Sequence, residues 1–313
     1  MRLKLGRPDL GAYRESFDAP AAEAGSDLTV SWLGVSTLLI DDGTTALMTD
    51  GFFSRPSYIE VGLRRLRPSA ARISECLARA GVSRLAAVLP VHTHFDHALD
   101  SAVVAARTGA CVVGGESAAN IARGQGLPTD RIVVAEPGVE LTFGSFAVKL
   151  IESHHCPPDR FPGVISAPVV PPVRASAFRC GEAWSTLIEH RPSGRRLLIQ
   201  GSAGFRSGAL ADQRAEVCYL GVGQLGVQDS DYIEQYWEQT VRAVGARRVV
   251  LIHWDDFFRP LTEPLRALPY AGDDLDVTMG VLTALAGADG VAMHLPRLWQ
   301  RCDPWTADQR LRR

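Results

Sequence analysis

Lysine is almost missing from this chain: Lys4 and Lys149 are the only two among 313 residues. Arginine carries the rest of the positive charge, and 33 basic residues face 35 acidic ones, a net charge of −2. A balance so close to neutral leaves no electrostatic footprint for a nucleic-acid partner, and none is expected. Cysteine is sparse and scattered. Cys76, Cys111, Cys156, Cys180, Cys218 and Cys302 include no CxxC pair, which argues for free thiols in a reducing compartment. A single bridge between Cys156 and Cys180 stays open on sequence grounds. No apolar run approaches the roughly 20 residues of a membrane span. Residues 1–18 carry scattered charges and no apolar stretch of the secretory type, so the expected location is the cytoplasm. Internal repeats, heptads and low-complexity tracts are lacking as well, which excludes solenoids and coiled coils.

What is present is an ordinary globular composition, 46% hydrophobic and 22% charged, in a chain long enough to bury a sizeable core. Length alone suggests two domains at about 150 residues each, and one large layered domain also fits. Residues 1–27 are polar and read as an arm on the surface. Short β-like runs follow at 28–33, 36–40 and 45–48, with Asp41-Asp42-Gly43 as a hairpin turn. Residues 68–80 have helical spacing, with Ile73, Leu77 and Ala80 on one stripe and Gly81 as a stop. Residues 84–91 form an apolar run that reads as a buried strand, and 98–107 reads as a helix. Strands are predicted at 110–113, 131–135 and 146–151, with a short helix at 117–123. Residues 156–174 hold six prolines: a stiff, irregular loop, and loops of that length are usually functional or mobile. In the second half, 184–190 and 196–200 read as a hairpin, 217–220 and 248–252 as strands, and 231–244 as a helix. Strands and helices arranged in two halves predict two mixed sheets with helices outside.

The chemistry concentrates after the buried run. His92-Thr93-His94-Phe95-Asp96-His97 is an HxHxDH cluster between a strand and a helix. Three imidazoles and a carboxylate suit a borderline metal such as Zn2+. One short loop cannot wrap all four groups round one ion. Alternation lets His92 and His94 point together while Asp96 and His97 turn to a neighbouring position, which feeds two metals. Another histidine pair, His154-His155, follows the run ending at Ile151, and His253 ends the apolar run Val249–Ile252. His190 and His294 read as structural or surface residues.

These pieces resemble the metallo-β-lactamase-fold metallohydrolases. The likeness spans most of residues 28–295: an early Trp32-Leu33-Gly34 strand, a Thr49-Asp50 turn, the HxHxDH loop, a later histidine, a strand-end Gly turn and a strand-end histidine. The opening WLGVSTLLIDDGTTALMTDGFF is similar to the branch containing L-ascorbate-6-phosphate lactonase-like proteins and N-acyl-phosphatidylethanolamine phospholipase D. The resemblance implies a four-layer αββα sandwich formed by residues 28–313 as a single domain, with metals at one sheet edge. It implies that His92, His94 and His155 hold the first metal, with His154 as the alternative to His155. Asp96, His97 and His253 would hold the second, and Asp50 would orient a ligand histidine. The family places a metal-bridging Asp after a strand, and Ser202 stands at that position here.

A neutral hydroxyl is a poor metal ligand, so the resemblance predicts one or two Zn2+ per chain, with Mn2+ or Fe2+ as alternatives at a weaker second site. The implied activity is hydrolysis of an ester, lactone or phosphoester of an anionic small molecule. Asp96 is the candidate for orienting the nucleophile, and Asp255 or Asp256 for proton transfer to the leaving group. Arg160 and Arg174 of the Pro-rich loop are candidates for the pocket wall. Two other readings are a non-catalytic binding protein that lost the bridging Asp and an RNA-processing nuclease. Oligomeric state has no signature in the sequence.

Overall fold

The computed structural model describes residues 4–306. Its strands are β1 Thr29–Trp32, β2 Leu38–Asp41, β3 Ala46–Thr49, β4 Ala87–Leu89, β5 Cys111–Gly114, β6 Ile132–Val134, β7 Glu140–Phe143, β8 Phe146–Ser153, β9 Ala183–His190, β10 Arg195–Gln200, β11 Val217–Gly221, β12 Arg248–Ile252, β13 Ala292–His294 and β14 Arg301–Cys302. The helices are α1 Tyr58–Leu63, α2 Ala70–Arg79, α3 Phe95–Ala98, α4 Ser101–Thr108, α5 Glu116–Gly124, α6 Ser230–Trp237 and α7 Leu275–Asp289. They build two mixed seven-stranded sheets. One runs in the order β14-β1-β2-β3-β4-β5-β6, the other β13-β12-β11-β10-β9-β8-β7.

Strand alternation explains the layers. In the first sheet Val30, Trp32, Leu38, Ile40, Leu47, Ala87 and Leu89 face inward, against Phe146, Val148, Leu150, Ile188, Leu197 and Ile199 of the second. Their neighbours Leu39, Met48, Val88 and Val112 point the other way, into Ile73, Leu77, Ala102 and Ala105 of α2 and α4. A strand period of two thus gives each sheet one face for the other sheet and one for helices. The second sheet is covered by α6 and α7 through Ile233, Trp237, Met279 and Leu282.

The N-terminal segment lies on this body: Ala21 bridges Cys302, and Leu295 N–H donates to the Ser16 carbonyl at 2.7 Å. All six cysteines are free, so the Cys156–Cys180 bridge does not form.

Several elements differ from the sequence expectation. The helix foreseen at 98–107 is two pieces, α3 and α4, broken around Asp100. That carboxylate is buried and caps the Phe53 and Ser54 amides at 2.8 and 2.6 Å. The helix foreseen at 231–244 is α6 continued by a π-helical stretch, Glu238–Arg242. Five elements had no sequence prediction: α1, β7, whose residues are exposed or half-buried, α7, β13 and β14.

Candidate metal centre

Three strands end at one edge of the sandwich and hand over to the loops that carry the histidines. β4 stops at Leu89, and residues 90–94 lead to α3; β8 stops at Ser153 just before His154-His155; β12 stops at Ile252, and His253 is next. Backbone strain gathers here. Val35, Asp50, Arg55 and His253 all have φ between 41° and 61°, a left-handed conformation that non-glycine residues, and β-branched ones above all, rarely adopt. His253 is held in it by donating its N–H to the Val35 carbonyl at 2.9 Å.

Two trios converge. His92, His94 and His155 bring one ligand atom each to within 4.8 Å of one another, and Asp96, His97 and His253 do the same. The trios are back to back: the His92 and His97 rings are 3.9 Å apart between centroids. In the first trio His92 Nε2 lies 3.1 Å from His94 Nδ1. In the second, His97 Nε2 and His253 Nε2 are 3.2 Å apart, and Asp96 Oδ2 is 3.6 Å from each. Two imidazole nitrogens on one tetrahedral Zn2+ at 2.0–2.1 Å are separated by about 3.3 Å, so the spacing fits a metal in both trios.

Tautomers support the same reading. His97 Nδ1 is 2.8 Å from Asp50 Oδ2, and His155 Nδ1 is 2.6 Å from the Cys156 carbonyl. The Cys156 carbonyl can only accept, so His155 Nδ1 carries the proton and its Nε2 presents a lone pair to the trio; Asp50 in its carboxylate form sets the same tautomer at His97. Asp50 Oδ1 in turn accepts the Val91 amide at 2.9 Å, fixing the carboxylate from behind.

Burial sets the electrostatics. It pushes the pKa of His92, His97 and His155 below the usual imidazole value, and those of His94 and His253 down to about 4. Neighbouring imidazoles add to this at His92, His94 and His97. Burial also lifts the Asp96 carboxyl to about 7 and raises Asp50 well above its ordinary value. The imidazoles are therefore neutral and ready to ligate, while Asp96 must release its proton first.

The other candidates fall as follows. His154 is exposed and His155 is turned inward, so His155 joins the trio. Ser202 follows β10, and its hydroxyl accepts the Cys156 amide at 3.0 Å, next to His155. Asp212, the next acid, is exposed. Gly204 abuts the histidine pair so closely that a Cβ there would meet the His154 carbonyl at 2.2 Å.

Asp255 and Asp256 are not members of either trio, although the Asp255 charge acts on the His253 ring. Asp255 is paired with Arg55 and accepts the Val35 amide at 2.9 Å. Asp256 is held by Arg7 at 3.2 Å and Arg266 at 2.9 Å. Arg160 and Arg174 are exposed. His190 pairs with Ser193 at 2.8 Å and His294 with Asp18 at 2.8 Å, both outside the trios. Sequence reasoning missed Asp159, whose Oδ1 is 3.1 Å from His94 Nε2, and Cys180, which lies within 4.8 Å of both. An acid inside the Pro-rich loop, just after the histidine pair, was the available signal.

No protein-family model matches the sequence, and no curated protein does. Solved structures do. The metallo-β-lactamase fold protein YhfI from Bacillus subtilis superposes with a TM-score of 0.51 at 14% identity, over 89% of this chain and 100% of that one. This is the metallo-β-lactamase fold. Igni18, a metallo hydrolase from Ignicoccus hospitalis, gives a TM-score of 0.54 at 14% identity over 88% and 97% of the two chains. CmlA, a diiron β-hydroxylase from Streptomyces venezuelae, gives 0.54 at 12% identity over 90% of this chain and 54% of its own.

Within this metallo-β-lactamase fold the raised Asp96 pKa has a measurable consequence. Below about pH 7 a metal entering the second trio must displace the Asp96 proton. Its affinity then rises by up to about tenfold per pH unit below about 7 and levels off above, since one proton is exchanged for the ion. The histidines do not contribute to this slope, because they are already neutral. Chelator competition between pH 5.5 and 8.5 checks it. A flat profile below pH 7 contradicts the burial argument for Asp96.

Proposed function

We propose that the chain is a metal-dependent hydrolase whose two trios hold one metal each. The carrying observation is the pair of buried trios, with Asp50 and the Cys156 carbonyl fixing His97 and His155 with Nε2 facing in. Zn2+ is the ion assigned to the first trio, and Zn2+, Mn2+ or Fe2+ to the second. When bound, such a cation supplies a water of lowered pKa and a Lewis acid for the substrate oxygen.

The chain's own residues do the rest. Asp96 Oδ2 faces His97 and His253, so the second oxygen is the group that orients a nucleophilic water as hydrogen-bond acceptor. Gly223 leaves the room that the His253 ring needs, since a Cβ there would lie 2.7 Å from its Nδ1. Asp255 and Asp256 are locked to arginines and are not assigned the leaving-group proton. With Ser202 replacing a bridging carboxylate, two cations face one ligating carboxylate, Asp96. The excess positive charge favours an anionic small-molecule substrate, an ester, lactone or phosphoester. The opening strands support the branch of lactonase-like and phospholipase D-like relatives. Among the described residues no helix is long and apolar enough to cross a membrane, and we assign the cytoplasm as the compartment, with no nucleic-acid partner.

The test compares metal-free and zinc-loaded protein on a carboxylic ester, a lactone and a phosphodiester, with His92→Ala beside the wild type. Turnover that requires metal and drops at least about 100-fold in the variant supports the reading, since each lost catalytic interaction of this kind is worth several kcal/mol. Well under one metal per chain and no turnover on any substrate would instead establish the second reading, a binding protein descended from a hydrolase, for which the serine at 202 speaks.

A further inference from the structure

The two trios are not supported alike. In the second, His97 leans on Asp50, which directly follows β3, while His253 has no hydrogen-bond partner on Nδ1. In the first, His92 has no hydrogen-bond partner on Nδ1, and His155 leans only on a backbone carbonyl. That leaves His94. Its Nδ1 faces His92 Nε2 at 3.1 Å, so the other ring nitrogen points out of the trio. There, 3.1 Å from Nε2, stands the Asp159 carboxylate, at ion-pair distance but without the alignment of a hydrogen bond, so that Nε2 has no other partner.

We propose that Asp159 is the positioning residue of the first trio: its carboxylate takes the Nε2 proton of His94 and thereby fixes Nδ1 as the metal-facing nitrogen. The inference rests on the reading that the first trio holds metal. Its chemistry is that of a carboxylate–imidazole–metal relay, in which the acid sets the tautomer, holds the ring and makes the ligating nitrogen more basic. It also answers the charge question left by Ser202. The carboxylate absent from between the metals is partly replaced by one placed a single imidazole away.

Asp159 is not a loose loop residue. Its Oδ1 accepts the Phe161 amide at 2.9 Å, closing a turn. The Phe161 ring meets His94 edge-on at 6.3 Å. The same loop is clipped to the segment before β9: Cys180 N–H donates to the Phe161 carbonyl at 2.8 Å, and Gly181 N–H to the Gly163 carbonyl at 2.9 Å. That segment receives Thr93, the residue between the two ligands, whose amide donates to the Cys180 carbonyl at 2.8 Å. Ligand loop, residues 179–181 and Pro-rich loop therefore lie one on another. Seating of the Pro-rich loop is thus tied directly to how well His94 is presented. Asp50 serves the second trio from the end of β3; Asp159 serves the first from the Pro-rich loop.

The experiment measures zinc affinity by chelator competition for wild type, Asp159→Asn, Asp159→Ala and Asp159→Glu, alongside hydrogen–nitrogen NMR of the histidine rings with and without zinc. The expected result is a loss of about 10–100-fold in affinity for Asn and Ala, as for other carboxylates that back a metal-bound histidine. Glu should recover part of it, and the melting temperature of the metal-free protein should not move. A slowly exchanging His94 Nε2 proton should be present in wild type and vanish in Asp159→Ala. Unchanged zinc affinity in Asp159→Asn with the ring proton still in place overturns the proposal. So does a thiolate-to-metal absorption band with cobalt that Cys180→Ser abolishes, because His94, Asp159 and Cys180 would then themselves be ligands of one ion. If wild type takes up no zinc at all, the reading of the trios fails, and the ring proton of the metal-free protein still decides whether Asp159 holds His94.

Discussion

Replacing His97 by alanine empties the second trio and lowers turnover by at least about 100-fold, more than the loss of a supporting residue such as Asp50 costs. The ring is fully buried, at 0% exposure, and holds the middle of that trio. Its Nε2 is 3.2 Å from His253 and 3.6 Å from Asp96, and its Nδ1 proton belongs to Asp50. Without it, Asp96 and His253 remain as a two-point site, and Asp50 keeps only the Val91 amide inside a protein interior.

Asp50→Asn is the milder control, since the imidazole stays. The first trio does not use His97, so the metal content of His97→Ala should fall from about two to about one per chain, leaving a three-histidine site of the kind that holds a catalytic zinc. Elemental analysis after dialysis reads this directly. Two metals retained in His97→Ala would remove it from the ligand set.

The histidine cluster was legible in the sequence because its members are local. HxHxDH is six residues long, and His253 could be placed because an apolar run that reads as a buried strand must end where solvent or a site begins. The preference for His155 over His154 came from the family resemblance, which places a histidine just past a strand, and β8 stops at Ser153. What turns His155 inward is its own Nδ1–H pairing with the Cys156 carbonyl.

Where residues act through distant partners, the sequence misleads or is silent. Asp255 and Asp256 directly follow a ligand and so read as proton donors, but Arg55 and Arg7 reach them from about 200 and 250 positions away. Asp159 reaches His94 across a turn built by prolines, which no periodicity reports. The elements that escaped are of the same kind. β7 is an edge strand whose residues are exposed or half-buried, and α7 carries Gly280, Gly287 and β-branched residues inside its span, against helix propensity. Both are defined by what they pack on.

The pair that Asp255 forms with Arg55 carries the largest stability effect. Arg55 and Asp255 side chains are both 0% exposed, and their contact is an ion pair inside the protein. Replacing Arg55 by methionine leaves the buried carboxylate without its counter-charge, which costs about 3–5 kcal/mol for a buried pair broken on one side. The loss propagates toward the site. Asp255 Oδ1 holds the Val35 amide at 2.9 Å, and the Val35 carbonyl accepts both the His253 amide and the Trp32 indole N–H, each at 2.9 Å. Val35 and His253 sit at φ of 51° and 61°, conformations that cost about 1–3 kcal/mol each and persist only when the surroundings over-determine them. Arg55→Met removes one of those determinants, so zinc affinity at the second trio should fall together with stability.

The double variant Arg55→Met/Asp255→Asn separates charge from shape. The amide oxygen still accepts from Val35, no ion is left unpaired, and most of the lost stability should return, since removing both charges of a buried pair is far less costly than removing one. Denaturant unfolding of the metal-free proteins measures all three states. A single variant within about 1 kcal/mol of wild type, the range of a surface ion pair, or a double variant no more stable than the single, would show that the Arg55–Asp255 charge pair is not what holds His253 at the sheet edge.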